Sequence, residues 1–109
     1  MAERSLLFVP GSRPERFGKA LAAGADITCI DLEDSVAPSG KAEARAAALS
    51  FIADQGAPDH LWLRINPVRS AVGLADLLAV LDSPAGPRTL MLPKLSDPSD
   101  LAFLEEVLG

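Results

Sequence analysis

The stretch ITCIDLEDSV (residues 27–36) starts as an unbroken apolar strand and finishes with three carboxylates, Asp31, Glu33 and Asp34, in four positions. Like charges this close repel, and an interior does not accept them unpaired. The acid therefore belongs at the end of a buried strand, where it faces something cationic. The same grammar recurs on either side. SLLFVP (residues 5–10) is a short apolar run closed by Pro10-Gly11 and followed by Ser12-Arg13. LWLRIN (residues 61–66) ends in Arg64-Ile65-Asn66 and is stopped by Pro67, and TLMLPKL (residues 89–95) carries Pro93-Lys94. Near-continuous apolar runs of this length are the mark of strands buried on both faces.

Helical patterns alternate with these runs. Pro14 suits a first helical turn, Phe17, Ala20 and Leu21 share a face behind it, and Gly24 is a natural stop. Ala44, Ala47, Ala48, Phe51 and Ile52 repeat at helical spacing until Gly56. Leu74, Leu77, Leu78 and Leu81 form the apolar stripe of a third helix before Pro84. Asp97-Pro98 opens a fourth, with Leu101, Leu104 and Leu108.

Four βα units imply an all-parallel sheet flanked by helices, either an open doubly wound sheet or part of a (β/α)8 barrel. An open sheet that binds nucleotide advertises it with a glycine-rich first turn. Here the first turn is VPGSRPERFGK, and neither the dinucleotide fingerprint nor the P-loop spacing is met. Polar residues close all four strands, whereas an open sheet concentrates its chemistry at one switch point. A rim built from several strands favours the barrel.

Composition narrows the class further. Hydrophobic residues make up 49% of the 109, enough for a core, but with 5% aromatics and no tyrosine that core is aliphatic. A net charge of −5 argues against a nucleic-acid footprint. The apolar run near the N-terminus is too short for a signal sequence or a membrane span. Cys29 is the only cysteine and sits mid-strand among apolar residues, which excludes an internal disulfide, reads as core rather than nucleophile, and suits a reducing cytoplasm.

Arg64 is the sharpest single residue. Trp62 shares its face of the strand, and a buried guanidinium without a partner is costly. It serves either as a structural partner of Asp31 or Glu33 on the neighbouring strand, or as a planar fork for a substrate carboxylate or a developing enolate oxygen; the two roles are compatible. Asp31 and Glu33 share a strand face, while Asp34 falls in the loop; such acids bind a divalent metal, act as a base, or simply face water. Arg13, Arg16 and Lys19 follow the first strand, with Arg16 and Lys19 on one helix face, and Lys94 follows the fourth. A solvated face explains them, and so does a phosphate ligand. His60 reads as surface, and Ser35 and Ser70 have no base at a readable spacing.

RSLLFVPGSRPERFGKALAAGADITCIDLEDSVAPSGKAEAR (residues 4–45), with RINP (64–67) and MLPK (91–94) in order behind it, resembles the citrate lyase β-subunit-like family of the HpcH/HpaI aldolase and malyl-CoA lyase superfamily. The resemblance spans residues 1–109 and implies the N-terminal half of a TIM-barrel lyase domain. It implies a Mg²⁺-dependent carbon–carbon lyase acting on a small acyl-CoA thioester (citryl-, malyl- or citramalyl-CoA) or a related hydroxy or keto acid, in a homo-oligomer, trimeric or hexameric. Arg64 matches the arginine that contacts substrate and stabilises its enolate, and Phe8 an aromatic near substrate or CoA. Lys19, Arg13 and Arg16 fall where positive charge meets the CoA phosphates, and the Asp31, Glu33 and Asp34 acids lie near the metal. The direct metal ligands of that family, a Glu and an Asp, are expected beyond Gly109, so this chain by itself is expected to be inactive. Its rival is a non-catalytic half-barrel module that pairs through the open edges of its sheet.

Overall fold

A computed structural model of the chain describes residues 5–93. Its elements run β1 (Leu6–Pro10), a 3₁₀ turn (Pro14–Arg16), α1 (Phe17–Ala22), β2 (Ile27–Asp31), a 3₁₀ turn (Pro38–Gly40), α2 (Lys41–Asp54), β3 (Leu61–Arg64), α3 (Ala71–Asp82) and β4 (Leu90–Met91). The four strands form one parallel sheet in the order β1-β2-β3-β4. Spatial order equal to chain order leaves no switch point of the doubly wound kind, and the sheet is open.

Register and alternation divide the side chains into two faces. One row crosses Val9, Ile30, Leu63 and Leu90, and belongs to the helix-covered core. Phe17 of α1, Ala44, Ala48 and Ile52 of α2, and Leu77 of α3 close over it. Each fully buried aliphatic side chain here contributes about 1.5–3 kcal/mol. Ala44, Ala48 and Ile52 stand four residues apart on α2, so small side chains bring that helix close to the sheet. Phe17 and Phe51 join α1 to α2, with ring centroids 5.4 Å apart. The opposite row crosses Pro10, Asp31, Arg64 and Met91. Behind it on the same face lies a second row of Phe8, Cys29 and Trp62.

Gly24 and Gly56 sit just past α1 and α2 with φ of 86° and 76°, the left-handed stops expected at those positions. Gly73 answers a different need. A Cβ there would lie 1.8 Å from the Pro67 carbonyl oxygen, so the first turn of α3 rests directly on the backbone that follows Arg64. Ser70 caps the same turn, its Oγ accepting from Gly73 N at 3.0 Å.

Three expectations change. The first helix begins as a 3₁₀ turn at Pro14 and becomes α-helical only at Phe17. The leucine stripe of α3 splits: Gly73, Asp76 and Leu77 face inward, while Leu74, Leu78 and Leu81, one stripe round, stay exposed. The fourth strand is two residues long. Lys94, and the helix read from Asp97 through Leu108, lie outside the described residues. Among the described residues no helix is long and apolar enough to cross a membrane.

Candidate functional site

Asp31 and Arg64 are direct register partners at the C-terminal ends of β2 and β3. Arg64 Nε donates to Asp31 Oδ1 at 2.8 Å. The same oxygen accepts from Glu33 N at 2.8 Å, and Oδ2 accepts from Ser35 N at 3.0 Å and Ser35 Oγ at 2.6 Å. Four donors saturate a carboxylate. Burial by itself pushes the Asp31 pKa up; the hydrogen bonds from Arg64, Ser35 and the turn amides overcome that and hold it well below the usual range. Asp31 is thus an ionised, fully occupied anchor for the guanidinium.

Phe8 supports that guanidinium from the side. Its ring centroid lies 4.8 Å from Arg64 Cζ, a cation–π contact that helps hold the guanidinium in place. With Nε committed to Asp31, the Nη edge is what Arg64 offers to a ligand. Its hydrogen bond to Asp31 raises its own pKa, so it is always charged.

The acidic triplet divides into three environments. β2 ends at Asp31, so strand alternation is not what brings Glu33 to Arg64; the turn wrapped around the Asp31 carboxylate does. Glu33 Oε1 stands 3.7 Å from Arg64 Nε, and burial, followed by repulsion from Asp34, raises its pKa. Asp34 is 81% exposed and only 4.0 Å from Arg64 Nη2, an ion pair of little weight.

A polar layer beneath this site escaped the sequence reading. Lys41 Nζ reaches Leu32 O, Glu33 O and Asn66 Oδ1, and the buried Asp76 carboxylate joins Asn66 to Arg45. Two signals for it were present in the sequence. Lysine is the wrong charge for the first turn of a helix. An aspartate on the inward face of an apolar helix needs partners.

Arg13, Arg16 and Lys19 are exposed. Arg16 and Lys19 line an open groove along β1 together with Leu7, Phe8, Val9 and Pro10. Phe8 borders this groove and also touches Arg64, which is not itself among the groove's lining residues. Cys29 is fully buried and its thiol is pushed up to about 12 by that burial, which leaves it unreactive. His60 is exposed, Ser35 is spent on Asp31, and Ser70 on its helix cap. Among the described residues, no group of three or more His, Cys, Asp or Glu is placed to hold a metal ion. With the Asp31 oxygens occupied by donors, these residues do not make a magnesium site by themselves.

Comparison with known proteins identifies the fold and the family. The L-malyl-CoA/β-methylmalyl-CoA lyase of Cereibacter sphaeroides is 41% identical over 109 residues, covering 96% of this chain and 34% of its own. The citrate lyase β subunit of Mycobacterium tuberculosis, solved with oxaloacetate and magnesium, matches with a TM-score of 0.80 at 39% identity, over 94% of this chain and 44% of that one. The CitE protein of the same organism, solved with magnesium, acetoacetate and coenzyme A, gives 0.78 at 37% identity, over 94% and 36%. The chain thus spans about a third of the length of the curated relatives it matches. Residues 4–108 match the HpcH/HpaI aldolase/citrate lyase family, and the chain belongs to it.

Proposed function

We propose that the complete protein is a carbon–carbon lyase for a short hydroxyacyl-CoA thioester, and that this chain supplies the strand-end arginine and the entry groove. The observation that carries the reading is Arg64, held at the end of its strand by Asp31 and in cation–π contact with Phe8, a residue that also lines the groove edged by Arg16 and Lys19. The relatives named above act on CoA esters or bind oxo acids, coenzyme A and magnesium, which supports the same chemistry here.

In such a cleavage the bond between the hydroxyl-bearing carbon and the carbon next to the thioester breaks. The hydroxyl gives up its proton to a base as its carbon becomes the carbonyl of the released oxo acid. The electron pair of the broken bond moves into the thioester carbonyl, so that negative charge grows on that oxygen. The enolate then takes up a proton to leave the shorter acyl-CoA ester. A guanidinium whose Nη edge is already oriented stabilises that charge without reorganising at the moment of reaction. Phe8 adds a cation–π contact that helps hold the guanidinium in place. Arg16 and Lys19 hold the polyanionic end of the substrate by charge alone. Magnesium accompanies the solved relatives and is expected in the complete protein, where it would polarise the oxo-acid part of the substrate. The described residues do not complete a site for it.

Malyl-, citramalyl- and citryl-CoA are the substrates to try. Incubation of each with the complete protein and magnesium, followed by mass spectrometry of the CoA ester and oxo acid released, is the test. Cleavage of at least one is expected; no cleavage of any, with no retention of coenzyme A, would remove the proposal. The isolated 109-residue chain is expected to be inactive. A homo-oligomer in the cytoplasm fits the single unpaired cysteine and the uncovered apolar side chains.

A second reading, an assembly module without catalysis, draws on the exposed Leu6 and Phe8 beside an open sheet edge. Light scattering on the isolated chain separates the two. A stable folded homodimer favours the module, whereas an aggregating or molten monomer favours the lyase.

A further inference from the structure

Lys41 opens α2, where the unpaired N–H groups of a helix disfavour a cation. Its ammonium turns back toward the sheet and donates to Leu32 O at 3.0 Å, Glu33 O at 2.9 Å and Asn66 Oδ1 at 2.7 Å. An ammonium has three donors, and all three are used. Two of the acceptors belong to the turn wrapped around Asp31, and the third to the residue two places after Arg64.

The far side of the clamp is itself fixed. Asn66 Nδ2 donates to Leu32 O at 3.0 Å and to Asp76 Oδ2 at 2.7 Å, and Asn66 N donates to the same oxygen at 2.9 Å. Asp76 Oδ1 accepts from Arg45 Nε at 2.8 Å. Asn66 therefore has no freedom to follow a displaced Lys41.

A lysine serving only the stability of the fold has no need to bridge these two segments. Here every contact falls on a strand end that carries Arg64 or one of its carboxylates. Glu33 is held at its carbonyl by Lys41, while its carboxylate stands 3.7 Å from Arg64 Nε. A movement of the one carries the other.

We propose that Lys41 is a positioning residue: it clamps the ends of β2 and β3 together, so that Asp31 and Glu33 hold the Arg64 guanidinium in one place, and it touches no substrate itself. The inference rests on the lyase reading for its kinetic consequence and on the geometry alone for its structural one. Small misplacement of a positioned group costs rate far more than it costs affinity.

The test uses the complete protein with Lys41→Met and Lys41→Arg, measuring kcat, KM and, without substrate, the hydrogen-exchange rate of the Arg64 Nε–H by ¹⁵N NMR, assigned with Arg64→Lys. For Lys41→Met we expect a kcat loss of about tenfold or more, KM within about threefold, and exchange at least about tenfold faster. Lys41→Arg keeps the charge but cannot place three donors from one nitrogen on these acceptors, and should show the same pattern at smaller amplitude. Wild-type kcat and exchange in the folded variants would overturn the proposal, as would a rise in KM at unchanged kcat. If Lys41→Met does not fold, Lys41→Arg is judged by the same criteria. If the wild-type protein cleaves no CoA ester, the lyase reading falls, and the exchange rates alone decide the role of Lys41.

Discussion

The ends of β2 and β3 and the flank of β1 both carry arginine, and they hold it in opposite ways. Arg64 is tied through Nε to a buried carboxylate that four donors saturate, and it makes a cation–π contact with a phenyl ring. Arg13, Arg16 and Lys19 stand in solvent, and among the described residues their side chains form no ion pair. The first arrangement is pre-organised for one geometry. The second offers charge over an area, with flexible stems and full screening by salt. A reacting centre needs the former, and a long polyanionic tail is well served by the latter. The two regions should therefore answer to different perturbations.

The largest effect is expected from Arg64→Lys in the complete protein. Lysine keeps the charge but loses the fork, the Asp31 register and the contact with Phe8, so kcat should fall by about 10²-fold or more, as for loss of a charge-stabilising donor. Steady-state kinetics checks this; wild-type turnover would place Arg64 with the solvated arginines and dissolve the contrast.

Asp31→Asn comes next, and its main effect is on stability. Asp31 is buried but Arg64 is partly exposed, so loss of this charged hydrogen bond should cost about 1.5–3 kcal/mol, measurable by urea unfolding. The pH dependence carries the sign. The folded-state pKa of Asp31 lies below its unfolded value, so its contribution is fully present above about pH 4 and is lost as pH falls toward and through the folded value. The wild-type protein should lose stability across that acid range, and the asparagine variant should lose less. Parallel curves would mean that Asp31 is not the anchor described here.

The smallest effect is expected from Arg16→Ala with Lys19→Ala. KM for the CoA ester should rise by about three- to tenfold at low salt with kcat nearly unchanged, and the difference should shrink at about 0.5 M salt. A salt-independent loss of kcat would show that the groove is built as tightly as the strand ends.

Much of this was legible in the sequence because it depends on period and spacing. The four apolar runs, the stops at Gly24 and Gly56, and an acid of the second strand end facing Arg64 follow from alternation and from polar residues placed at strand ends. The register is what selects Asp31 over Glu33 as the direct partner. Glu33 reached Arg64 by a different route, since the path of a turn is set by which carboxylate collects its amides, and no period encodes that. The third helix misled because leucine lies on two adjacent stripes, and periodicity alone does not say which one the sheet receives. Lys41 and Asp76 were legible in principle, as a cation at the wrong end of α2 and an acid on the inward face of the apolar α3. What hid them was distance: the partners of Lys41 lie 8 to 25 residues away along the chain.

The central claim, that Asp31 acts through Arg64 on a CoA ester, is tested most directly by a double-mutant cycle. Asp31→Asn, Arg64→Lys and the pair are compared by kcat/KM in the complete protein. Strong coupling is expected, with Asp31→Asn costing little further once Arg64 is lysine. Losses that simply add, each residue contributing as though the other were intact, would contradict it.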